Sequence, residues 1–191
     1  MSIKKEQLRD QIRNQRSNKS KSFILENSEK ISEKLHNLKE FQQANRILFY
    51  VSYNGEVDTH SILKKMLSSK KKVFVPLSNP MDHTLSISEL RDFSDLTPGT
   101  YGILEPKKGK IRPSSIHNID IVLVPGVAFD NHGHRIGQGG GYYDWFLSQS
   151  TAVSIALSFE FQLLKEIPVE SHDQSVDLII TEKQVIRCTA D

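Results

Sequence analysis

Cysteine is nearly missing from this sequence. Cys188 stands alone near the C-terminus of 191 residues, which excludes an internal disulfide and a cysteine-built metal site and points to a reducing, cytoplasmic setting. Long apolar runs are also missing: nothing approaches the roughly 20 residues of a membrane-spanning helix. The opening "MSIKKEQLRDQIRNQR" carries charge where a secretory leader would carry an apolar segment. Repeats, low-complexity tracts and dividing linkers are absent, so the length points to one domain over 1–191. An excess of one charge is absent as well. Lys and Arg number 25 against 23 Asp and Glu, and the net +2 is too small to argue for nucleic acid.

What is present alternates between two periodicities. Residues 3–18 and 22–38 read as helices, the second with Phe23, Ile24, Ile31, Leu35 and Leu38 at helical spacing. These N-terminal helices, over 1–40, are expected to pack on a core of strands. "RILFYVS" (46–52), "KKVFVPLS" (71–78), "IDIVLVPGVAF" (119–129) and "AVSIALSF" (152–159) are short apolar runs of strand type, and "TLSISEL" (84–90) alternates like a half-exposed strand. Asp58 or Thr59 is placed to cap a helix carrying Ile62, Leu63, Met66 and Leu67. "VDLIITE" (176–182) and "QVIRC" (184–188) read as a paired edge. Apolar strands alternating with helices imply an α/β fold whose mostly parallel sheet is covered on both faces. Ligands of such sheets sit beyond the carboxyl ends of the strands. "YNGE", "PGVAFD" and "SFEFQ" all fall there.

The chemistry concentrates in "RIGQGGGYYDWF", residues 135–146. A glycine run opening a helix offers bare backbone N–H groups at the positive end of the helix dipole, which suits phosphate. Arg135 would add a bidentate phosphate contact, and Asp144 in the first turn is placed to hold a hydrated Mg²⁺ between phosphates. The loop ends Gly-Tyr-Tyr-Asp, so it is not the Gly-Lys-Ser/Thr loop of P-loop nucleotide enzymes. The dinucleotide pattern starts with Gly137, Gly139 and Gly140 but meets Tyr142 at its last glycine. Glu160, about 20 residues on, keeps a dinucleotide reductase open as an alternative. Lys4, Lys5, Arg9, Arg13, Arg16, Lys19 and Lys21 crowd the first turns. They read as a solvated face, as reach toward an anionic ligand, or as an RNA-binding helix. Their remoteness from the glycine loop in sequence and the lack of interleaved aromatics argue against RNA.

The stretch "VPGVAFDNHGHRIGQGGGYYDWFL", with "KEQLR", "YNGEVDT", "YGILEP" and "IPVESHDQSVDLIITE" in this order, resembles the 5-formyltetrahydrofolate cyclo-ligase (5,10-methenyltetrahydrofolate synthetase) family. The resemblance implies a single three-layer α/β/α domain similar to the NagB/RpiA/CoA-transferase-like fold. It implies ATP-dependent closure of 5-formyltetrahydrofolate to 5,10-methenyltetrahydrofolate in one-carbon metabolism, through an N5-iminium phosphate. Carried over by position, Lys5 and Arg9 would touch ATP phosphates. Arg135 and the segment Gly137, Gln138, Gly139, Gly140, Gly141 and Tyr142 would cradle the triphosphate. Asp144 and Asp173 would hold Mg²⁺. Glu56 would hydrogen-bond the folate, Tyr143 would sit beside the formyl group with Arg135 as its catalytic partner, and Tyr101 would line the folate cleft. His172 reads as structural. Trp145 departs from an arginine common in the family. The expected partners are ATP and the folate alone, with no nucleic acid or membrane, on a monomer. Arg135→Ala and Asp144→Ala are each expected to lose turnover more than stability. Another ATP-dependent phosphotransferase, or a non-folate paralogue on the same fold, is the alternative.

Overall fold

A computed structural model describes residues 3–99 and 102–189. In chain order its helices and strands are α1 (Ile3–Ser17), α2 (Lys21–Asn37), α3 (Lys39–Gln43), β1 (Arg46–Leu48), α4 (His60–Leu67), β2 (Lys72–Asn79), β3 (Thr84–Leu90), β4 (Leu96–Pro98), β5 (Leu104–Pro106), β6 (Pro113–Ser114), β7 (Ile121–Val124), β8 (Ala128–Phe129), β9 (Arg135–Ile136), α5 (Tyr142–Gln149), β10 (Val153–Leu157), β11 (Leu178–Ile180) and β12 (Val185–Arg187). Eight strands form the main sheet in the order β12-β11-β10-β7-β1-β2-β3-β6. The five inner strands from β11 to β2 pair parallel. The flanking pairings β11–β12, β2–β3 and β3–β6 are antiparallel.

Strand alternation makes three layers. Successive side chains of a strand point to opposite faces. Ile47, Val73, Leu123 and Ile155 join Ile31 and Leu35 of α2 and Ile62 and Leu63 of α4 in one cluster. Leu48, Phe74, Val122, Val124 and Ala156 join Phe146 of α5 in another. Each inner strand is buried on both sides, which is why it reads as a continuous apolar run. Fully burying a side chain such as Phe49 or Phe146 is worth about 1.5–3 kcal/mol, so these two clusters carry the fold. A third, smaller cluster seats Ile12 of α1 on Val127, Ala128 and Ile136.

Local chemistry fixes the element ends. Ser20 caps α2, its Oγ accepting the Phe23 N–H at 3.1 Å. At α4 the two expected caps divide the work. Asp58 accepts the His60 N–H at 3.2 Å. Thr59 instead turns back, donating to the Tyr50 carbonyl at 2.8 Å and accepting from the Ser52 N–H at 3.0 Å. That cross-tie holds the loop after β1.

Two expectations need correction. The run 119–129 is not one strand: β7 stops before Pro125-Gly126, where the Phe129 ring packs so closely that a side chain on Gly126 would begin 2.3 Å from it. The chain then forms the separate β8–β9 hairpin, so the glycine loop follows that hairpin rather than the central strand. The run 46–52 is strand only over Arg46–Leu48, because the chain beyond it bends into the site.

Candidate active site

A cleft opens at the carboxyl ends of β1 and β7. These neighbours lead outward in opposite directions, β1 to β2 and β7 to β10. They therefore form the reversal point where open α/β sheets bind ligands. The cavity measures about 670 Å³, within the size range of small-molecule sites (about 300–1,000 Å³). Glu56 enters from the loop after β1, Pro125 and Gly126 from the end of β7, and the whole segment 135–144 forms one wall.

The β8–β9 hairpin exists to carry Arg135. Fully buried Asp130 accepts the N–H groups of His132 (3.0 Å), His134 (3.1 Å) and, from a distant loop, Ile167 (3.0 Å). Arg135 follows, only 6% exposed. Its Nη2 donates to Asp144 Oδ1 at 2.8 Å, and its guanidinium lies 6.0 Å from the Tyr143 ring centre. Burial pulls its pKa below the ordinary guanidinium value, while Asp144 opposes that pull. A side chain on Gly137 would begin 3.1 Å from Arg135 Nη1, so the loop lies close over the cation. Gly141 ends the loop at φ 70°, a left-handed conformation that favours glycine. The Trp145 N–H bonds the Gly141 carbonyl at 3.0 Å. The amides before it sit at the mouth of α5 with no intrahelical partner.

Helix α1 closes this wall from outside, bringing together what sequence distance hid. Arg9 Nε donates to the Gly137 carbonyl at 2.9 Å, and Arg13 Nη2 to Gln138 Oε1 at 2.6 Å. The basic cluster, remote from the loop in sequence, thus meets it in the fold. Lys5 is ion-paired to Asp173 and, at 3.2 Å, to Glu170. Burial alone would raise Asp173, but Lys5 and the Glu170 N–H outweigh it and hold the carboxyl below its usual range. Glu170, His172 and Asp173 place ligand atoms within 4.8 Å of one another. Asp144 stands outside that cluster, its Oδ1 shared by Arg135 and the Gln174 N–H at 3.1 Å.

At the other end, Glu56 accepts the Tyr53 N–H at 3.2 Å. Burial raises its carboxyl to about 7, with Arg16 and that N–H acting the other way. Burial and Glu56 together push Tyr143 above the ordinary phenol range. The phenol therefore stays protonated, a donor and not a base. Two buried groups on this cleft find no hydrogen-bond partner among the described residues: the Tyr143 hydroxyl and Arg135 Nε. Buried polar groups are nearly always paired, so both call for an explanation.

Nearly every expected position meets here: Lys5, Arg9, Glu56, Arg135, the loop 137–142, Tyr143, Asp144 and Asp173 all line the one cleft. Tyr101 lies outside the described residues, though Ile103 and Leu104 beside it line the cleft. "SFEFQ" does not. Phe159 and Phe161 turn inward against Phe23, and Gln162 ties down the Gly126 and Val127 carbonyls. Glu170 and His83 were missed. His83 packs 5.5 Å from the Tyr142 ring, from a hairpin tip that carries no local sign of chemistry.

Comparison with known proteins agrees with this geometry. The model of the 5-formyltetrahydrofolate cyclo-ligase family matches residues 1–182. A probable 5-formyltetrahydrofolate cyclo-ligase of Caenorhabditis elegans is 34% identical over 181 residues, covering 87% of each chain. The 5-formyltetrahydrofolate cyclo-ligase of Haemophilus influenzae is 29% identical, over 89% of this chain and 93% of its own. The solved 5,10-methenyltetrahydrofolate synthetase of Aquifex aeolicus superposes with a TM-score of 0.87 at 30% identity, covering 99% of this chain and 95% of that one.

Proposed function

The chain belongs to the 5-formyltetrahydrofolate cyclo-ligase family, whose reaction is ATP-dependent closure of 5-formyltetrahydrofolate to 5,10-methenyltetrahydrofolate, and from that premise we propose how this cleft performs it. The formyl oxygen on N5 attacks the γ-phosphorus of ATP, and ADP leaves. The product is an N5-iminium phosphate. N10 then adds to the activated carbon, loses its proton, and phosphate departs with the former formyl oxygen. A formamide oxygen leaves poorly, and phosphorylation makes it a good leaving group. The protein's contribution is therefore alignment and charge neutralisation.

The observation that carries this reading is the pair of unsatisfied buried donors, Tyr143 Oη and Arg135 Nε, on a cleft walled by bare helix-mouth amides. Tyr143, kept protonated, donates to the formyl oxygen as it accumulates phosphate character. Arg135, Lys5, Arg9 and the amides of Gly137 to Tyr142, with Gln138 among them, hold the triphosphate. Glu56 accepts from the amino and N–H edge of the pterin.

Magnesium fits the donors present. Asp144 and Asp173 each engage protein donors through one oxygen and keep a second, and Glu170 and His172 lie within reach of Asp173. Few carboxylates completed by water and phosphate is the ligand set this ion prefers. Bound there, the ion would neutralise phosphate charge. No helix among the described residues is long and apolar enough to cross a membrane. The reading further has the enzyme acting in the cytoplasm as a monomer, on small molecules alone. Purified protein mixed with MgATP and 5-formyltetrahydrofolate should develop the near-ultraviolet absorbance of the methenyl product. A folded, ATP-binding protein that forms none overturns the reading.

A further inference from the structure

The buried stripe of α1 is made of the wrong residues for a core. Lys5, Arg9, Ile12 and Arg16 are its buried positions, and their 4-3-4 spacing is the one amphipathic helices fill with apolar side chains. Lys5 and Arg9 are explained by the nucleotide end of the cleft. Arg16 is not, for it lines no part of that cleft. It is 4% exposed, and its Nη1 reaches no partner among the described residues. An arginine kept this way, despite the cost of desolvating it, calls for a reason.

What lies against it is the turn Tyr53–Glu56. Asn54 and Gly55 there take φ of 47° and 77°, and a side chain on Gly55 would begin 3.3 Å from Arg16 Cγ. The stem of Arg16 therefore packs directly under the turn. Its charge acts on Tyr50, Tyr53 and Glu56 together. We propose that Arg16 is a positioning residue for the folate half of the reaction: packed beneath the Asn54–Gly55 turn, it holds Glu56 at the cleft wall and supplies the counter-charge for its carboxylate. One helix then serves both substrates, with Lys5 and Arg9 toward the nucleotide and Arg16 behind the folate contact. The inference rests on the reading of Glu56 as that contact.

The groups around Glu56 make the test clean. Tyr50, Tyr53 and Tyr143 are all pushed further above neutrality by burial, so none changes charge near pH 7. Asp58 and Arg13 act on the tyrosines beside it. His83 and His172, which also line the cleft, stand against Tyr142 and against Glu170 and Asp173, so a change at Arg16 leaves their surroundings alone. The measurement is calorimetric affinity for 5-formyltetrahydrofolate without nucleotide, from pH 6 to pH 9. Binding by the wild type should tighten as pH rises through about 7, the value to which burial brings Glu56. In Arg16→Gln the midpoint should move alkaline by about one pH unit, making binding roughly fivefold weaker at pH 7 and near normal at pH 9. Arg16→Lys, which keeps the charge, should keep the midpoint, and KM for MgATP should stay within about twofold in both. A Gln variant whose midpoint does not move, or a Lys variant whose midpoint does, overturns the assignment. The Lys variant keeps the assignment open to refutation even if the Gln variant does not fold. Glu56→Gln separates the two layers: if it retains the wild-type midpoint, the folate-contact reading fails, whatever Arg16 does.

Discussion

Arg135 and Asp144 show why substitutions here must be chosen by what they strand. Sequence alone gave them separate ligands, a phosphate and a metal ion. The structure bonds them to each other at 2.8 Å, as it pairs Lys5 with Asp173. Lys5, Arg135, Asp144 and Asp173, all expected to meet a charged ligand, each rest on an opposite charge. Asp144→Ala therefore does more than remove a metal contact. It strips a nearly buried guanidinium of its paired charge, at a cost of about 3 kcal/mol, so the expected loss of turnover comes with a real loss of stability. Asp144→Asn keeps an oxygen for Arg135 and for the Gln174 N–H. Its thermal midpoint should stay within a few degrees of wild type while kcat falls by about 10²-fold or more, as for removal of one charge-stabilising group. Melting curves and steady-state rates on both variants check this. If the Asn variant turned over at the wild-type rate, Asp144 would be a strut for Arg135 and no more.

Helix α1 carries the element-scale lesson. Its extent was legible, 3–18 expected against Ile3–Ser17 found, because polar helices announce themselves by propensity and spacing. Its partners were not. The contacts of Lys5 with Asp173 and of Arg9 with Gly137 span 168 and 128 residues, and no local pattern encodes such pairs. The hint was in the 4-3-4 stripe of Lys5, Arg9, Ile12 and Arg16, which puts three cations where a core takes apolar side chains. The break in 119–129 was hidden for a related reason, since Pro125-Gly126 marks a stop without saying that the chain resumes as a hairpin. The long motif was legible because loop, hairpin and helix mouth are contiguous in it. A helix docked largely through charges, with Ile12 its one buried apolar anchor, should open more readily than the sheet. Hydrogen exchange on α1 should therefore slow by about tenfold or more when MgATP is added, beyond any change in β7 and β10. Equal protection of all three elements would count against α1 as a nucleotide contact.

For the whole molecule, two core clusters share every inner strand, α2 packs on the sheet, and α1 joins the β8–β9 hairpin to the site. We read 1–191 as one cooperative unit on that ground. Trp145, the sole tryptophan, sits on α5 beside the glycine loop at 37% exposure. It reports the site end, while far-ultraviolet circular dichroism reports all the helices. On heating, the two signals should fall along one curve, as two-state domains require. ATP with magnesium at 100 times its dissociation constant should then add about 2.7 kcal/mol to the folded state. For a chain of this size that is a rise of roughly 5–11 °C in the midpoint of both signals. An N-terminal helical signal that melted early, and alone shifted with nucleotide, would show instead a separately folding appendage. The Trp145 curve distinguishes these outcomes, because the cradle it reports is built jointly by α5, the β8–β9 hairpin and α1.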